Sequence, residues 1–434
     1  MERLIIRGGR VIDPAADIDG EYDVYVVGGR IAALRPVAAD TDEASPEAPG
    51  VTLIDARGLL VVPGFIDLHT HLREPGYEYK ETIQTGTDAA KAGGFTTILC
   101  MANTNPPNDN ESVTRHIIKN AENSGIRVLP VGAVTQGLKG EKISEMAGLK
   151  SAGCAAFSDD GSPVVDAGVM RRAIEYSRIF DMPVISHAEE PSLVRGGVMN
   201  EGIVSTRLGL KGIPNAAEEA MAARDIALAE LTGGRLHIAH VSARGTVELV
   251  RAAKRRGLKV TAEATPHHLT LTDEAVQGYD TNAKMNPPLR AREDVEALRV
   301  GVRDGTIDAI ATDHAPHSVI EKDVEFDRAA NGIIGLETAF SLVWGLVQEG
   351  VFTPATAIRA LTINPAKAFS IDGGTLKVGK AADITLVDPA RSWKVEPGSL
   401  KSKSKNTPWA GVVLKGVVVK TIAGGKIVYG GPGR

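Results

Sequence analysis

Cysteine and aromatic residues are scarce in this sequence. Only two of the 434 residues are cysteine, Cys100 and Cys154, and aromatic residues make up 4% of the chain. Two cysteines cannot build a disulfide framework, which favours a reducing compartment, so we expect a cytoplasmic protein. The low aromatic content means that aliphatic side chains must supply most of the core.

A strong excess of charge and long apolar runs are also lacking. The formal net charge is −5 at pH 7 and no stretch is strongly basic, so nucleic acid is not an expected partner. No apolar run is long enough to span a bilayer, and the opening MERLIIRGGRVIDP lacks the apolar core of a signal peptide. We therefore expect a globular protein that does not associate with membranes.

Short β-type runs broken by glycine occupy both ends of the chain. These runs are 3–12, 22–33, 51–62, 382–387 and 411–431. Short strands separated by glycine turns are typical of a β-sandwich. We therefore predict a small discontinuous β-sandwich domain built from residues 1–62 and 368–434. The acidic, proline-containing segment 37–50 is expected to form an exposed loop within it.

Between the two ends, apolar β-type runs alternate with helical patterns. The eight runs are 64–69, 95–100, 127–132, 154–158, 183–187, 235–240, 258–263 and 307–313. In the helical segment 215–232, Asn215 and Glu218 have the spacing of a capping box. Eight βα units within about 300 residues predict an α/β protein with a (β/α)8 TIM-type barrel over residues 63–367. An open doubly wound sheet is the alternative, but the glycine-rich phosphate turn that usually follows its first strand is not present.

The segment FIDLHTHLREPG, residues 65–76, has polar residues at alternate positions of its predicted strand. Alternate side chains of an extended chain share a face, so His69 and His71 should point the same way. The same alternation places Asp67 and Arg73 on that face. A buried His-x-His pair without a partner is costly, and a cation bound by both imidazoles removes that cost.

Polar residues also close most of the other predicted barrel strands. They are Asn103, Asp159, Asp160, His187, His240 and Asp313. In a barrel of this kind the functional residues lie at the carboxyl ends of the strands. Imidazole and carboxylate ligands without thiolates suit Zn²⁺ or a similar divalent ion, and this number of ligands is enough for two ions. We therefore predict a metal centre, with one or two zinc ions, at the rim of the barrel.

Other histidines are expected to lie outside this centre. His237 has the opposite strand parity to His240 and should face the outer helices. His267 and His268 follow the seventh run, where a structural role fits them as well as a functional one does.

Eight motifs together identify a family. They are DLHTHLREPG, GGFTTILCMANTNP, FSDDG, ISHAE, IAHVS, TAEATPHHL, KMNPPLR and ATDHAPH. Over nearly the whole chain this set resembles the class I dihydroorotases of the amidohydrolase superfamily. Hydantoinases and many other relatives carry a carboxylated lysine where this chain reads FSDDG, so the aspartate favours dihydroorotase. HLREPG and KMNPPLR favour it as well.

The resemblance implies a ligand set for the metal centre. The implied ligands are His69, His71, Asp160, His187, His240 and Asp313. The first two histidines would hold the more buried ion and the other two histidines a second ion. Asp160 would bridge both ions, and Asp313 would also serve as the catalytic acid and base.

The resemblance also implies a substrate and a reaction. Arg73 and Asn103 would bind the substrate carboxylate with help from His317, and Asn286 would contact the dihydropyrimidine ring. The loop 331–335, NGIIG, would close on the substrate through its backbone amides. The implied reaction is the reversible cyclisation of N-carbamoyl-L-aspartate to L-dihydroorotate plus water, a step of pyrimidine biosynthesis, with water activated by the metal.

Two other functions stay open at this point. A hydantoinase-like cyclic amidohydrolase would share the metals and the fold but not the carboxylate site of Arg73 and Asn103. A non-catalytic dihydroorotase-like subunit of a transcarbamoylase complex would typically have lost metal histidines, whereas this chain keeps every expected one. The superfamily further implies a homodimer, and assembly of an active chain with aspartate transcarbamoylase is also open.

Overall fold

The computed structural model describes residues 3–37 and 50–430. Almost all of the segment 37–50, predicted to be an exposed loop, falls outside the described residues. Within the described residues, no helix is both long enough and apolar enough to cross a membrane.

Eight strands from the two ends of the chain form one sheet. They are β1 Arg3–Asp13, β2 Ile18–Val27, β3 Arg30–Pro36, β4 Val51–Asp55, β5 Leu60–Pro63, β16 Ile384–Lys394, β17 Val413–Ala423 and β18 Lys426–Tyr429. The order across the sheet is β18-β17-β16-β5-β1-β2-β3, and β4 pairs with β1. Because β5 pairs with both β1 and β16, the two ends of the chain meet in the middle of this sheet.

The terminal sheet folds back and encloses a core of its own. An antiparallel bridge joins Arg30 to Ala381, and the Ala382 amide donates to the Gly29 carbonyl at 2.9 Å. Gly29 has φ 76°, and a Cβ there would lie only 2.7 Å from the Gly424 carbonyl oxygen, so this contact requires glycine. The enclosed side chains include Ile6, Val24, Ile31, Val61, Ile384, Leu386 and Ile422. The β-sandwich predicted from both termini is thereby confirmed, while its residue boundaries stay a prediction.

Eight parallel strands form the second sheet. They are β6 Phe65–Thr70, β7 Phe95–Cys100, β8 Arg127–Gly132, β9 Ala156–Ser158, β10 Pro183–Ser186, β13 Arg235–Ile238, β14 Val260–Ala264 and β15 Ala309–Ile310. They are neighbours in chain order. A parallel bridge from Thr70 to His314 links the last strand to the first, and the His71 amide donates to the His314 carbonyl at 2.9 Å. The predicted (β/α)8 barrel is confirmed, and every predicted run overlaps one of these strands.

Helices connect the barrel strands, and a two-stranded ribbon, β11 Met199–Asn200 and β12 Gly212–Ile213, lies in one connection. The helices are α1 Ile83–Ala92, α2 Glu111–Ala121, α3 Met146–Ala152, α4 Ala167–Ser177, α5 Pro191–Val194, α6 Ile203–Leu208, α7 Asn215–Thr232, α8 Arg244–Arg255, α9 Pro266–Thr270, α10 Arg292–Asp304, α11 Val319–Lys322, α12 Ala339–Gln348, α13 Pro354–Leu361 and α14 Ile363–Ala368. Short 3-10 helices lie at Gln136–Leu138, Arg178–Phe180, Asp273–Val276, Thr281–Ala283 and Pro397–Ser399.

Helix α7 covers the predicted segment but is not capped as predicted. Its N-cap is Pro214, without a side-chain hydrogen bond, so the capping box proposed for Asn215 and Glu218 is wrong. Asn215 Nδ2 instead donates to Asp294 Oδ1 at 2.8 Å, and Glu218 accepts from the Ser242 amide at 3.1 Å. Both side chains are used in contacts between segments, which a local spacing rule cannot anticipate.

The end of the barrel at which its strands begin is filled by apolar side chains. Leu68, Val131 and Ile185 from three strands belong to one buried cluster with Ala366 of α14 and with Phe369 directly after it. Packing at this end leaves the opposite end, where the strands finish, as the accessible end of the barrel. The polar strand-end residues therefore lie at the accessible end.

Candidate metal centre and substrate pocket

Six polar side chains meet at the carboxyl end of the barrel. They are His69 and His71 of the first barrel strand and its end, Asp160 after β9, His187 after β10, His240 after β13 and Asp313 after β15. None is more than 6% exposed. These are the six metal ligands predicted from the sequence, and the fold brings all of them together.

Asp160 lies at the middle of the group. Its Oδ1 lies 3.3 Å from His69 Nε2, 3.3 Å from His240 Nε2 and 3.4 Å from His187 Nδ1. Its Oδ2 lies 3.4 Å from His71 Nε2. Asp160 thus forms one possible ligand group with the first histidine pair and another with the second pair, each with its ligand atoms within 4.8 Å of one another. This geometry agrees with a carboxylate that bridges two ions.

Asp313 approaches His69 and His71 from the segment after β15, which is bridged to β6. Its Oδ1 lies 3.0 Å from His71 Nε2 and 3.5 Å from His69 Nε2. With His69 and His240 it makes a third possible ligand group within 4.8 Å. The φ angles of His240 and Asp313 are 32° and 45°, so the chain turns through the left-handed region directly after these two strands. Such backbone is uncommon outside glycine and is often found at functional sites.

The donor atoms fit a divalent cation. Among the described residues, the buried His69 Nε2 has no hydrogen-bond partner, and His187 Nδ1 lies 2.9 Å from His240 Nε2. Imidazole nitrogens and carboxylate oxygens that converge in a buried space without thiolates form a donor set that zinc and similar ions accept. A cation there would compensate the burial of both carboxylates.

The electrostatics of the centre agree with that assignment. Burial disfavours the charged imidazolium of His69, but Asp160 and Asp313 outweigh burial and raise its pKa well above the usual range. Burial likewise opposes charge on His187, yet the contact with Asp160 raises its pKa to about 10. Although burial opposes their ionisation, the surrounding histidines hold the pKa of both Asp160 and Asp313 below the usual range. Without a metal, protons on the imidazoles therefore balance the two carboxylates.

A buried glutamate that the sequence analysis missed orients His69. Glu263 Oε1 lies 2.9 Å from His69 Nδ1, and its Oε2 lies 3.1 Å from His237 Nε2. This contact leaves Nε2 of His69 to face Asp160 and Asp313. Glu263 closes the predicted run 258–263, so the strand-end rule that found the other site residues would have found it too.

The prediction that His237 faces the outer helices is wrong. His237 is completely buried, and its Nδ1 lies 2.8 Å from Thr261 Oγ1 on the next strand. Its other nitrogen faces Glu263, which lies between His237 and His69.

The residues predicted to bind substrate line a cleft above the centre. The cleft has a volume of about 220 Å³, and its walls include Arg73, Asn103, Asn286, His317 and the exposed Asn331. Five of the six predicted metal ligands line it as well. The cleft therefore joins the predicted substrate contacts to the candidate metal centre.

Arg73 and His317 form the charged side of this cleft. Arg73 Nε donates to the Pro316 carbonyl at 3.2 Å, and its Nη2 lies 3.4 Å from His317 Nε2. Burial, together with the charges of Arg73 and Lys80, lowers the pKa of His317 to about 3. A neutral imidazole beside a half-buried guanidinium leaves positive charge for an anionic group of a ligand.

Arg73 does not reach the cleft along an extended strand, and that part of the prediction is wrong. Strand β6 ends at Thr70, and Arg73 has φ 62°, so a turn carries its side chain to the cleft. Asp67, placed on the same face by alternation, accepts from the Thr312 amide at 3.0 Å and from its Oγ1 at 2.6 Å. Asp67 therefore links the first barrel strand to the segment after the last one.

Asn103 and Asn286 contact metal-centre histidines as well as the cleft. Asn103 Oδ1 lies 2.8 Å from His71 Nδ1, and Asn286 Nδ2 lies 3.4 Å from His187 Nε2. Among the described residues, the buried Asn286 Oδ1 has no hydrogen-bond partner. This oxygen is free to accept a hydrogen bond from a ligand.

Other candidates from the sequence lie outside the centre. Asp159 accepts from the Thr135 amide at 2.9 Å and so holds the loop after β8. His268 lies 2.8 Å from Thr265 Oγ1 and 3.0 Å from the Pro287 carbonyl, which is a structural role.

Comparison with known proteins defines the class first. The family model described as "Amidohydrolase family" matches residues 60–428, so the chain belongs to the amidohydrolase family. The L-hydantoinase of Arthrobacter aurescens has the same fold, with a TM-score of 0.86 at 24% identity over 100% of this chain and 97% of that one. A D-hydantoinase of a Thermus species superposes with a TM-score of 0.84 at 24% identity, covering 99% and 98% of the two chains. At this identity these structures show the fold alone.

Sequence relatives then narrow the class. A dihydroorotase of Geobacter metallireducens is 56% identical over 428 residues, which cover 98% of this chain and 99% of the relative. A dihydroorotase of Anaeromyxobacter sp. strain K is 56% identical over 429 residues, which cover 98% of each chain. Within the amidohydrolases, this chain belongs with the dihydroorotases.

Proposed function

We propose that this protein catalyses the reversible cyclisation of N-carbamoyl-L-aspartate to L-dihydroorotate and water. The observation that carries the proposal is the meeting of six possible ligands beside a cleft with a half-buried guanidinium. Full-length identity above one half to dihydroorotases supports the same substrate. The reaction is a step in the biosynthesis of pyrimidines.

We propose that the centre holds Zn²⁺, as one or two ions. The ligands would be the six residues predicted from the sequence, with Asp160 shared between the two histidine pairs. When bound, such ions activate water as a nucleophile and polarise the carbonyl group under attack.

Asp313 is the proposed acid and base. Its pKa lies below the usual range, because the attraction of His69 and a hydrogen bond from His71 outweigh its burial, so it is ionised at neutral pH. An ionised carboxylate at the edge of the cleft can accept the proton of the attacking water in ring opening. It then returns this proton to the departing ring nitrogen, and ring closure uses the same steps in reverse.

Arg73, Asn103 and His317 are the proposed site for the substrate carboxylate. A planar guanidinium binds a carboxylate through two parallel hydrogen bonds, which sets both distance and orientation. The free Oδ1 of Asn286 is proposed to accept from a ring N–H of dihydroorotate. These contacts fix the ring amide next to Asp313 and the ligand histidines.

The assembly and location of the protein are further parts of the proposal. We propose a homodimer in the cytoplasm, with binding to aspartate transcarbamoylase as a second assembly to test. The two free, buried cysteines support a reducing compartment. Light scattering of the purified chain, alone and with a transcarbamoylase, tests the assemblies.

The test is metal analysis combined with three assays on the purified chain. We expect bound metal and hydrolysis of dihydroorotate, with hydantoin and allantoin turned over at least about a hundredfold less well because they lack the carboxylate that Arg73 binds. Asp313→Asn is expected to abolish turnover while dihydroorotate still binds. Preferred hydrolysis of hydantoin would support the hydantoinase alternative, and bound metal without turnover would support a non-catalytic subunit.

A further inference from the structure

A buried lysine lies outside the catalytic machinery and yet holds both walls of the cleft. Lys322, the last residue of α11, is 5% exposed. Its Nζ donates to the Ala330 carbonyl at 2.7 Å, to the Gly332 carbonyl at 3.0 Å and to the Lys284 carbonyl at 3.5 Å. An ammonium group has three N–H donors, so these carbonyls account for all of them.

The three carbonyls belong to two segments that border the cleft. Lys284 precedes Met285 and Asn286, and Asn331 lies between the other two residues. Met285, Asn286 and Asn331 all line the cleft. The Gly332 amide also donates to the Lys284 carbonyl at 2.9 Å, so the two segments meet directly beside the ammonium.

The ammonium of Lys322 has no carboxylate partner within 4.0 Å among residues 3–37 and 50–430. Charged groups that act on it from the surrounding segments are Lys284, Asp280 and Glu321. Glu321 is engaged with Lys80, 2.6 Å away. Burial, and then the charge of Lys284, lower the pKa of Lys322 to about 7. Burial of an ammonium group costs free energy that burial of an apolar side chain would not cost. The hydrogen bonds from Lys322 to the two segments offset this cost.

A second side chain reaches the same loop from the C-terminal part of the chain. Asn406 Nδ2 donates to the Gly332 carbonyl at 3.0 Å and to the Ala315 carbonyl at 2.9 Å, and its Oδ1 accepts from the His317 amide at 3.0 Å. The Gly332 carbonyl therefore accepts from Lys322 and from Asn406. Asn406 connects the loop to the residues after Asp313, whereas Lys322 connects it to the Asn286 wall.

We propose that Lys322 is a positioning residue for substrate binding, since its ammonium keeps residues 330–333 against the wall that carries Asn286. The proposal rests on the proposed function for its substrate, dihydroorotate. Without this ammonium the loop separates from the Lys284 carbonyl and the cleft loses its closed shape. Substrate affinity then falls, whereas the metal ligands and Asp313, which belong to other segments, keep their places.

The test compares Lys322→Met with a matched control, Lys254→Met. Lys254 Nζ also donates to a backbone carbonyl, that of Gly305 at 3.0 Å, and it pairs with Asp308 Oδ2 at 2.6 Å. These contacts join α8 to the segment after α10, away from the cleft. We expect Lys322→Met to raise KM for dihydroorotate at least about tenfold, with kcat within about threefold of the wild type and an unchanged metal content. Lys254→Met should leave both kinetic constants unchanged.

Amide hydrogen exchange provides a readout that does not need turnover. The Gly332 amide, bonded to the Lys284 carbonyl, should exchange at least about tenfold faster in Lys322→Met than in the wild type or in Lys254→Met. If Lys322→Met does not fold, Lys322→Gln, which is one atom shorter than lysine and keeps two N–H donors but not the charge, takes its place in both measurements. Unchanged exchange at 330–335 in the folded variant, or a KM increase that comes with metal loss, overturns the proposal. If the wild type has no dihydroorotase activity but Lys322→Met still exchanges faster than the wild type, the proposed function is overturned instead.

The pH profile separates a charged contact from simple packing. A neutral amine keeps only two of the three N–H donors, so the contribution of Lys322 should shrink as pH rises through about 7. The ratio of KM in Lys322→Met to KM in the wild type should therefore fall between pH 6 and pH 9. A ratio that stays constant over this range contradicts a role for the ammonium charge.

Discussion

At the scale of single residues, Arg73 and Glu263 show how one contact sets a chemical property. Arg73 lies half-buried beside a neutral imidazole and lines the cleft, so its positive charge is available to a ligand there. Glu263 lies between two imidazoles, and although burial opposes its ionisation, these contacts lower its pKa to about 2. It therefore stays ionised at neutral pH and favours one orientation of His69.

Replacement of Arg73 tests the carboxylate site. Arg73→Ala is expected to weaken dihydroorotate binding by about 2–4 kcal/mol, roughly 30- to 1,000-fold, because it removes the charged partner of a buried carboxylate. Calorimetry in the inactive Asp313→Asn background measures this directly. Arg73→Lys, which keeps the charge but not the planar fork, should fall between the two. Equal affinity in all three proteins would exclude Arg73 from the substrate site.

Replacement of Glu263 tests the orientation of His69. Glu263→Gln keeps the shape but removes the charge that the two imidazoles share, and we expect about a 10- to 100-fold loss of zinc affinity. Competition with a chromophoric chelator gives the affinity. Glu296→Gln, at an exposed carboxylate that pairs with Arg299, is the control and should have no effect. An unchanged affinity in Glu263→Gln would mean that backbone packing alone orients His69.

At the scale of elements, two loops that follow adjacent barrel strands are packed backbone against backbone. The Asn105 amide donates to the Pro75 carbonyl at 2.9 Å. Gly76 has φ 96°, and a Cβ there would lie 2.1 Å from the Asn105 carbonyl oxygen. The loop after β6 carries Arg73 and the loop after β7 carries Asn103, so this contact sets the spacing of the proposed carboxylate site.

Gly76→Ala is therefore expected to affect both stability and substrate binding. Gly58→Ala is the matched control, because Gly58 has φ 78° but nothing within 4 Å of the added Cβ. The control should lose about 1 kcal/mol through backbone strain alone. Gly76→Ala should lose at least about 1–3 kcal/mol more and should raise KM, because the two loops must separate. Thermal unfolding and KM measure the two effects, and equal behaviour of the two variants would contradict the contact.

At the scale of the whole molecule, residues from the C-terminal part of the chain contact the barrel loops around the cleft. Asn406 holds the segment after Asp313, and the Lys403 amide donates to Glu81 at 3.0 Å. Glu81 also lies 3.2 Å from His314 Nε2, next to Asp313. Residues that follow the last barrel helix in sequence thus hold the loops around the cleft.

The charge balance of the whole centre predicts how metal affinity depends on pH. With their pKa values raised above the neutral range, His69 and His187 are protonated at pH 7 in the metal-free protein. A cation must displace those protons, so zinc affinity should increase with pH, by about tenfold per unit for each proton released. Titrations from pH 6 to pH 8 in buffers of different ionisation enthalpy give the affinity and the proton count. An affinity independent of pH would show that the free imidazoles are already neutral.

The sequence pattern by itself determined the barrel and the polar residues at its strand ends, and the family resemblance selected the six possible ligands among them. Alternation of apolar runs with helical segments requires a parallel sheet, and closing that sheet gathers the carboxyl ends of its strands at one rim. Polar residues at those ends, such as His187, His240 and Asp313, therefore meet at this rim, whichever residue each strand begins at. Local periodicity is enough for this inference, because it depends on the order of the elements and not on their detailed packing.

Only the tertiary structure decided which side chains support that centre. Three features join segments far apart in the chain. They are the contact of Glu263 with His69 and His237, the turn that carries Arg73 to the cleft, and the hydrogen bonds from Lys322 to two loops. Each exists because a buried polar group must find a partner, and the nearest partner in space is set by strand register and loop path. Neither quantity is encoded in the spacing of residues within a single segment.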